Sequence, residues 1–305
     1  MVSNESHSLW AEKYRPNDLS TYIGNEHLKD KVKRYIDDQD VPHLLLYGKA
    51  GTGKTTLAKI VVNNIECDYL YINASDENSV DAVRFKIKSF ASSIGFKDLR
   101  VIILDECDYL TPNAQAALRN LMETFSQHCR FILTCNYVEK MIDPIQSRCQ
   151  SYKVTPPSKR EVAVHMKSVL DTENIEYSLD DMATIVTTGY PDIRKVINSL
   201  QRQSVDGKLK LDIESIIQND YKIKLLEILS NNSSNYTDIR QLLADNSVTD
   251  YTELYRLLYD DVESYTSNIA TAILIIADGQ LNDSQVVDKE INFISTIIKL
   301  MKEIR

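Results

Sequence analysis

The fold is decided by the stretch His43-Leu44-Leu45-Leu46-Tyr47-Gly48-Lys49-Ala50-Gly51-Thr52-Gly53-Lys54-Thr55-Thr56. Its apolar run predicts a buried strand, and an apolar helical pattern follows Lys54. Between them lies the pattern G-x-x-x-x-G-K-T, which is typical of the phosphate-binding loop (P-loop) of nucleoside triphosphatases. Three of the chain's eight glycines fall in this loop, where glycine lets backbone N–H groups turn toward an anion. The residues predicted to bind nucleotide here are Gly48, Gly51, Thr52, Gly53, Lys54, Thr55 and Thr56.

A later apolar strand pattern, 101–104, ends in the acidic pair Asp105-Glu106, about fifty residues beyond the P-loop. One strand pattern (69–73) and one helix pattern (80–94) lie between them. We expect Lys54 to reach the β- and γ-phosphates. Thr55 and Asp105 are expected to hold Mg²⁺, and Glu106 to polarise the attacking water. We also expect the strand that carries these carboxylates to lie adjacent to the P-loop strand.

Asn136 follows the next strand pattern, 131–135, which we expect beside the strand of Asp105. Its amide can sense the γ-phosphate or orient the water. The alternative is that Asn136 is an ordinary turn residue at the end of a strand. The neighbouring motifs favour a contact with the γ-phosphate or the water. Between these strands, Thr111 and Pro112 predict the cap and first residue of a helix that ends near Phe125.

Composition indicates a cytoplasmic protein of two or three domains. The chain has 305 residues, of which 43% are hydrophobic and 26% charged. Its five cysteines are scattered and form no C-x-x-C pair, which favours a reducing compartment over a disulfide framework or zinc ribbon. The N-terminus has no secretory signal pattern, and the longest apolar run, 269–277, is too short to cross a bilayer. We therefore expect no membrane partner.

The net charge of −9 is unevenly distributed. From Asp220 onward there are 14 acidic and 8 basic residues. Between residues 82 and 100, one acidic residue stands among five basic ones, which form either a phosphate-facing patch or an ordinary solvated helix face. Charge alone favours the solvated face. The five basic residues are Arg84, Lys86, Lys88, Lys97 and Arg100.

The N-terminal arm, Trp10 to Pro16, has neither helical nor strand periodicity and is predicted to be extended. Because it precedes the P-loop domain, it can fold over an adenine, with Tyr14, Pro16 and Ile23 as apolar walls. Pro156-Pro157 marks the end of the first domain. Helical patterns at 159–171, 179–188 and 191–203 then predict a small lid, with Pro191 in the first turn of its last helix.

After Gly207 the pattern is helical to the end. The last segment carries a broad apolar face that includes Val287, Ile291, Ile294, Ile298 and Met301. This face suits packing against neighbouring subunits, and an intramolecular bundle core explains it equally well.

Together these residues resemble the ATPase subunits of sliding-clamp loaders in the AAA+ superfamily. The chain looks like a replication factor C small subunit. Its segment Tyr190-Pro191-Asp192-Ile193-Arg194 and its short collar look closer to the ATPase subunit of tailed-phage clamp loaders. The resemblance covers residues 10 to about 203 and implies an α/β P-loop AAA+ domain with a parallel sheet (1–155), a helical lid (156–207) and an all-α collar (208–305). Its motifs are Glu12-Lys13-Tyr14-Arg15-Pro16, the P-loop, Asn73-Ala74-Ser75-Asp76, Asp105-Glu106-x-Asp108, Asn136, Ser147-Arg148-Cys149 and Arg194.

The resemblance implies roles for matched positions. Arg148 would act in trans as an arginine finger on ATP of the adjacent subunit, which leaves Cys149 as a packing residue. Arg194 would reach the γ-phosphate from the lid, and Arg15 would join the ATP-binding arm. DNA-backbone contacts would come from Arg84, Lys88, Asn113 and Arg119. Clamp contacts would come from Phe90 and Phe96, although core packing is an almost equal alternative for Phe90. Asn78 stands where the family usually has a basic residue, which puts a charge-based switch of Glu106 in doubt.

The resemblance implies an ATPase that uses ATP and Mg²⁺ to open a sliding clamp and load it onto primer–template DNA. Its partners would be further copies of itself and a companion subunit without ATPase activity, in a five-membered spiral. One alternative is another AAA+ DNA remodeller, such as a helicase loader or junction translocase. Another is a subunit that binds ATP only to shape the assembly.

Overall fold

The computed structural model describes residues 9–76, 80–93, 95–211, 213–231, 235–246, 248, 250–283 and 285–304. Asn78 lies outside these residues. The chain divides into two compact units, 1–210 and 211–305. Within the first unit, the division between a P-loop domain and a lid at residue 155 stays a prediction.

A five-stranded parallel sheet forms the centre of the first unit, with the strand order β2-β3-β4-β1-β5. The P-loop strand therefore has β4 and β5 as its neighbours. Our expectation that the Asp105 strand lies next to it is wrong, because β4 pairs with both strands and lies between them. The strands are β1 (Leu44–Tyr47), β2 (Cys67–Asn73), β3 (Leu99–Asp105), β4 (Cys129–Cys135) and β5 (Gln150–Lys153).

Alternating side chains of the buried strands point into two separate cores, as the strand period of two requires. Leu45, Ile102 and Leu133 pack into one core with residues of α4 and α5. Leu44, Ile103 and Ile132 pack into the other core with residues of α2 and α3. Both faces of the sheet are thus covered, as is usual for parallel sheets. The covering helices are α2 (Glu26–Asp38), α3 (Lys54–Asn64), α4 (Val80–Ser92) and α5 (Pro112–Thr124).

The predicted cap of α5 is confirmed: the Thr111 hydroxyl accepts a hydrogen bond from the backbone N–H of Ala114, and Pro112 is the first helical residue. Two short 3-10 helices, Cys107–Tyr109 and Val138–Lys140, and the four-residue α6 (Asp143–Gln146) complete this part of the unit.

The arm is not extended, contrary to our prediction. It begins with a four-residue helix, α1 (Trp10–Lys13), whose length is too short to give a periodic pattern. Trp10 is buried, and its backbone N–H donates to the Gln201 side chain 2.8 Å away. Contacts far along the chain therefore determine the conformation of the arm.

The predicted lid contains α7 (Lys159–Thr172), α8 (Leu179–Gly189) and α9 (Ile193–Gln203). The helix α9 begins after Pro191, so placing this proline in the first turn was wrong: Asp192 caps the helix by accepting from the N–H of Lys195. Helical structure also does not follow Gly207 directly. A hairpin of β6 (Ser204–Val205) and β7 (Lys208–Leu209) turns there, with Gly207 at φ 74°.

The described residues of the second unit form helices and no strand, with a core that includes Leu225, Leu254, Tyr255, Phe293 and Ile297. Its last helix turns Ile297 and Met301 inward, while Val287 and Ile291 are exposed. Among the described helices, none is both long and apolar enough to cross a membrane. The helices are α10 (Ile213–Ser230), α11 (Tyr236–Asp245), α12 (Thr252–Asp260), α13 (Val262–Tyr265), α14 (Ile269–Asp283) and α15 (Lys289–Ile304).

Candidate nucleotide-binding site

The P-loop connects the end of β1 to the start of α3. Gly51 and Gly53 have φ values of 69° and 94°, which favour glycine. A Cβ atom at Gly51 would lie 1.9 Å from a carboxylate oxygen of Asp192, and the N–H of Ile193 donates to the Gly51 carbonyl oxygen. The loop is therefore in direct contact with the first residues of α9.

The Lys54 side chain is buried and fully used by hydrogen bonds. Its ammonium donates to the carbonyl oxygens of Gly48 and Lys49 and to Oδ1 of Asn136, each at 2.8 Å. Burial lowers the pKa of Lys54. The ammonium lies at the mouth of the loop, where phosphate oxygens can replace these neutral acceptors.

Asp105 accepts hydrogen bonds from three side chains. The Thr55 hydroxyl donates to both carboxylate oxygens, at 2.8 and 2.9 Å. Tyr71 donates to Oδ2 at 2.8 Å, and Thr134 donates to Oδ1. Burial, followed by the hydrogen bond to Asp105, raises the pKa of Tyr71. Sequence reasoning missed both partners, although a threonine within the apolar run of β4 was a visible signal.

The pair formed by Thr55 and Asp105 fits Mg²⁺, which prefers oxygen ligands and binds through one or two protein groups together with substrate phosphates. No cluster of three or more His, Cys, Asp or Glu side chains in the described part of the chain could hold a metal by itself. Both observations agree with a Mg²⁺ site that becomes complete only when phosphate oxygens of the nucleotide bind as well.

Glu106 is the first residue after β3 and has a φ of 56°. Its backbone N–H donates to the Thr134 hydroxyl, 3.1 Å away. The N–H of Asn136 donates to Asp108 at 3.3 Å. Glu106, Asn136 and Arg194 line the same cavity as Gly51 and residues 53–56 of the P-loop. The structure thus brings together the residues that sequence reasoning placed around the phosphates.

A second cavity adjoins the first, and the arm and the lid form its walls. Tyr14, Arg15, Pro16 and Ile23 line it, as predicted for the adenine walls, together with Ile193 and Ile197 of α9. Two further lining residues, Tyr22 and His165, were not predicted.

The arm is held from the lid by Glu173, which follows α7. Its carboxylate accepts from the Lys13 ammonium at 2.6 Å and from the Tyr14 hydroxyl at 2.5 Å. Since Glu173 is about 160 positions away in the chain, no local pattern could have indicated this contact.

Arg148 lines neither of these cavities. Its guanidinium donates to the Pro144 carbonyl oxygen at 2.7 Å and forms an ion pair with Glu123 of α5. It lines a surface depression with His43 and Arg130. The neighbouring Cys149 packs against the core of the first unit, and burial raises its pKa to about 12, so its thiol stays protonated at neutral pH.

The residues proposed to contact DNA lie on the two neighbouring helices α4 and α5. Arg84, Lys88 and Asn113 are exposed, and the half-buried Arg119 donates to Asn120. The basic run does not form one patch: Arg100 points inward and donates to the carbonyl oxygens of Ala91 and Ser93, and Lys97 pairs with Glu66 at 3.4 Å.

The two residues proposed to contact the clamp differ in exposure. Phe90 is half-buried and packs against a core of the sheet, which agrees with the alternative that it is a core residue. Phe96 is 98% exposed, and Phe85 on α4 is 74% exposed.

The model of the AAA family, "ATPase family associated with various cellular activities", matches residues 44–157. A protein of Sulfurisphaera tokodaii named "Replication factor C small subunit" is 40% identical over 218 residues, which cover 69% of this chain and 67% of the relative. A protein of Archaeoglobus fulgidus with the same name is 38% identical over 221 residues, which cover 70% and 69%. The chain belongs to the replication factor C small subunit family.

This assignment confirms the predicted resemblance to clamp-loader ATPase subunits of the AAA+ class. Another relative of the family, from Natronomonas pharaonis, is 45% identical over 205 residues, which cover 65% of this chain but only 63% of that protein's length. The specific likeness to the tailed-phage subunit stays a prediction.

The fold is also shared with a solved structure titled "Thermotoga maritima RuvB Holliday junction branch migration motor". The TM-score is 0.56, and the match covers 78% of this chain and 87% of that one. At 17% sequence identity, the likeness shows the common fold alone.

Proposed function

We propose that this chain is an ATP-hydrolysing subunit of a sliding-clamp loader. It binds ATP with Mg²⁺, holds an open clamp together with other subunits, and releases the clamp on primer–template DNA. The observation that carries the proposal is the single cavity lined by the P-loop, the carboxylates Asp105 and Glu106, Asn136 and Arg194. A subunit that only bound nucleotide would not require the carboxylate of Glu106.

In this mechanism the P-loop N–H groups and the Lys54 ammonium bind the phosphate chain, and Thr55 and Asp105 hold Mg²⁺. When bound there, Mg²⁺ would supply positive charge that offsets the charge of the phosphate chain. Glu106 accepts a hydrogen bond from the attacking water and takes up its proton as the water oxygen bonds to the γ-phosphorus and the bond from that phosphorus to the leaving ADP oxygen breaks. Asn136, already in contact with Lys54, orients the water or the γ-phosphate.

Arg148 completes the site of the adjacent subunit in this proposal. Because it lies on the surface and outside its own nucleotide cavity, it is available to a neighbouring phosphate group. Arg194 approaches the phosphates of its own subunit from the lid. Hydrolysis then depends on assembly, since one guanidinium of each site belongs to another protomer.

The exposed residues Arg84, Lys88 and Asn113, with Arg119, contact the DNA backbone in this proposal, and Phe96 contacts the clamp. Phe90 contributes to the clamp contact only through its exposed part. A loader that acts at any junction needs backbone contacts, which position the DNA without reading its sequence.

The Glu106→Gln variant tests the proposal in an assembled loader supplied with a cognate clamp and primed DNA. We expect ATP binding to remain and steady-state hydrolysis to fall by about 10²- to 10⁴-fold, because the general base is lost. The matched control is Glu139→Gln, an exposed glutamate in the 3-10 helix that follows β4, which should keep the normal rate. Unchanged hydrolysis by Glu106→Gln would show that this chain is not the motor.

The same assay separates the alternative remodellers. A clamp loader's hydrolysis rises only when the clamp and primed DNA are both present. A rate that responds to DNA but not to the clamp would favour a remodeller, such as a junction translocase.

A further inference from the structure

Tyr22 has a buried hydroxyl without a hydrogen-bond partner in the part of the chain that the structure describes. Its side chain is only 4% exposed, and it packs into the core formed with α2 and α3. The ring lies against the P-loop: a Cβ atom at Gly53 would be 3.0 Å from both the hydroxyl oxygen and Cε2 of Tyr22. Buried hydroxyls are almost always paired, so this one indicates a partner that a ligand supplies.

The position of Tyr22 identifies the ligand. Tyr22 lines the cavity formed by the arm, the P-loop and α9, where a nucleotide bound to the P-loop would place its base. Burial raises the pKa of Tyr22, so the hydroxyl keeps its proton and can donate.

His165 of α7 lines the same cavity from the lid. The structure gives its imidazole no hydrogen bond within the described residues. Burial lowers the pKa of His165, so the ring is neutral at pH 7 and offers one donor and one acceptor nitrogen. The lid and the sheet domain thus each bring one polar side chain to this cavity.

The other polar side chains of the cavity are already engaged or lie at its phosphate end. Tyr14 donates to Glu173, Arg15 donates to Glu12, and Thr52 donates to the Lys49 carbonyl oxygen. Thr56 and Arg194 also line the phosphate cavity, whereas Tyr22 and His165 do not. Outside the phosphate end of the cavity, Tyr22 and His165 are the polar side chains for which the structure gives no hydrogen bond within the described residues.

We propose that the Tyr22 hydroxyl and the His165 imidazole hydrogen-bond to the polar edge of the bound purine and favour a 6-aminopurine. An adenine offers a ring-nitrogen acceptor to the tyrosine hydroxyl and an amino donor to the imidazole. Both residues act on base selection and not on the bond that breaks. The inference rests on the proposed function, since it requires that the P-loop binds a nucleoside triphosphate.

The test is Tyr22→Phe, which removes one oxygen and keeps the ring. We expect two changes of opposite sign. The nucleotide-free protein should melt roughly 2–4 °C higher, because an unpaired buried hydroxyl is gone. The dissociation constant for ATP, measured by displacement of a fluorescent ATP analogue, should rise about three- to tenfold. His165→Phe should weaken ATP binding to a similar extent.

Purine riboside triphosphate, which lacks the 6-amino group, is the second probe. Wild-type protein should prefer ATP to this analogue, and His165→Phe should reduce that preference. The control Tyr35→Phe removes a hydroxyl that bonds to Gln150 and Tyr152 on the surface, and it should not change ATP affinity.

The outcomes separate this inference from the proposed function. Wild-type protein that binds no ATP would overturn both. If Tyr22→Phe and His165→Phe bind ATP as tightly as wild-type protein does, the base contact is contradicted. The proposed function then still stands. Equal affinity of wild-type protein for ATP and purine riboside triphosphate would also contradict it.

Discussion

The residues around the phosphate cavity and Arg148, which we propose acts on the adjacent subunit, are held in very different ways. Asp105 and Lys54 are buried, and each makes three hydrogen-bonded side-chain or backbone contacts inside the chain. The Arg148 side chain is 35% exposed and pairs with Glu123, which is 50% exposed. The side chains of the phosphate cavity are fixed by buried hydrogen bonds, whereas Arg148 is held by one exposed ion pair and one hydrogen bond to a carbonyl oxygen.

The difference follows from the cost of burying polar atoms. A buried carboxylate or ammonium must have partners, so its position is tied to the stability of the domain. An exposed ion pair contributes only about 0–1 kcal/mol, so Arg148 can exchange Glu123 for another anion at little cost. If Arg148 acts in trans as proposed, the chain fixes its own half of the catalytic machinery and leaves the shared guanidinium free to move on assembly.

The largest expected effect comes from Arg148→Ala. Hydrolysis by the assembled, clamp-stimulated complex should fall by roughly 10³-fold, because the transition state loses a guanidinium. ATP binding by the isolated chain should stay the same, since Arg148 lines neither of its own nucleotide cavities. The measurements are a steady-state phosphate-release assay and a nucleotide titration.

Glu123→Gln is the matched control for this prediction. It removes the intramolecular partner and keeps the guanidinium, so hydrolysis by the complex should remain within a few-fold of wild type. Hydrolysis at the normal rate by Arg148→Ala would contradict the role in trans. A defect in ATP binding by the isolated variant would place Arg148 in the site of its own subunit.

The buried region should respond differently to a much smaller change. Thr134 is 1% exposed; it donates to Asp105 and accepts from the N–H of Glu106. Thr134→Val keeps the shape of the side chain but removes one hydrogen-bond partner from the Asp105 carboxylate and one from the Glu106 N–H. We expect a loss of about 1–3 kcal/mol in the free energy of unfolding and a fall of about 10- to 100-fold in hydrolysis.

Urea denaturation and the phosphate-release assay check both parts of this prediction. The control is Thr124→Val on α5, where the exposed threonine donates only to the Asn120 carbonyl oxygen. That change should stay within about 0.5 kcal/mol. If Thr134→Val were as harmless as Thr124→Val, the buried network would not determine the geometry of the carboxylates.

Local spacing was sufficient to predict the elements that carry the phosphate site. The strand, loop and helix around Lys54 are consecutive in sequence, and polar residues at the ends of parallel strands meet at one edge of the sheet. This is why Asp105, Glu106 and Asn136 could be placed together before the structure was known. The order of the strands could not be predicted, because it depends on pairing between segments that are far apart.

The second cavity, where we expect the adenine, shows more clearly what the sequence could not predict. The arm walls Tyr14 and Pro16 were predicted from their order in the chain, but Tyr22 and His165 were not. Their meeting depends on how the lid packs against the P-loop domain. The short helix α1 was missed for a related reason: its conformation is supported by Gln201 and Glu173, and its sequence carries no period of its own.

The contact between Glu173 and the arm lies between the two regions in exposure, and it gives the smallest predicted effect. The hydrogen bonds from Lys13 and Tyr14 lower the pKa of Glu173, so this contact stabilises the closed arm above about pH 4.3, the usual glutamate value, and is lost as the pH falls through the lowered pKa. Trp10, the chain's single tryptophan, is buried beside this contact and reports on it by fluorescence.

Acid titration of wild-type protein should therefore shift Trp10 emission to the red below pH 4.3. Glu173→Gln should show the shifted emission already at pH 7 and bind ATP at most about fivefold more weakly, because the Tyr14 wall is no longer fixed. Glu176→Gln is the matched control: Glu176 also pairs with a lysine, Lys208, but has no contact with the arm. If both variants titrated like wild type, Glu173 would not hold the arm, and the adenine wall would depend on apolar packing alone.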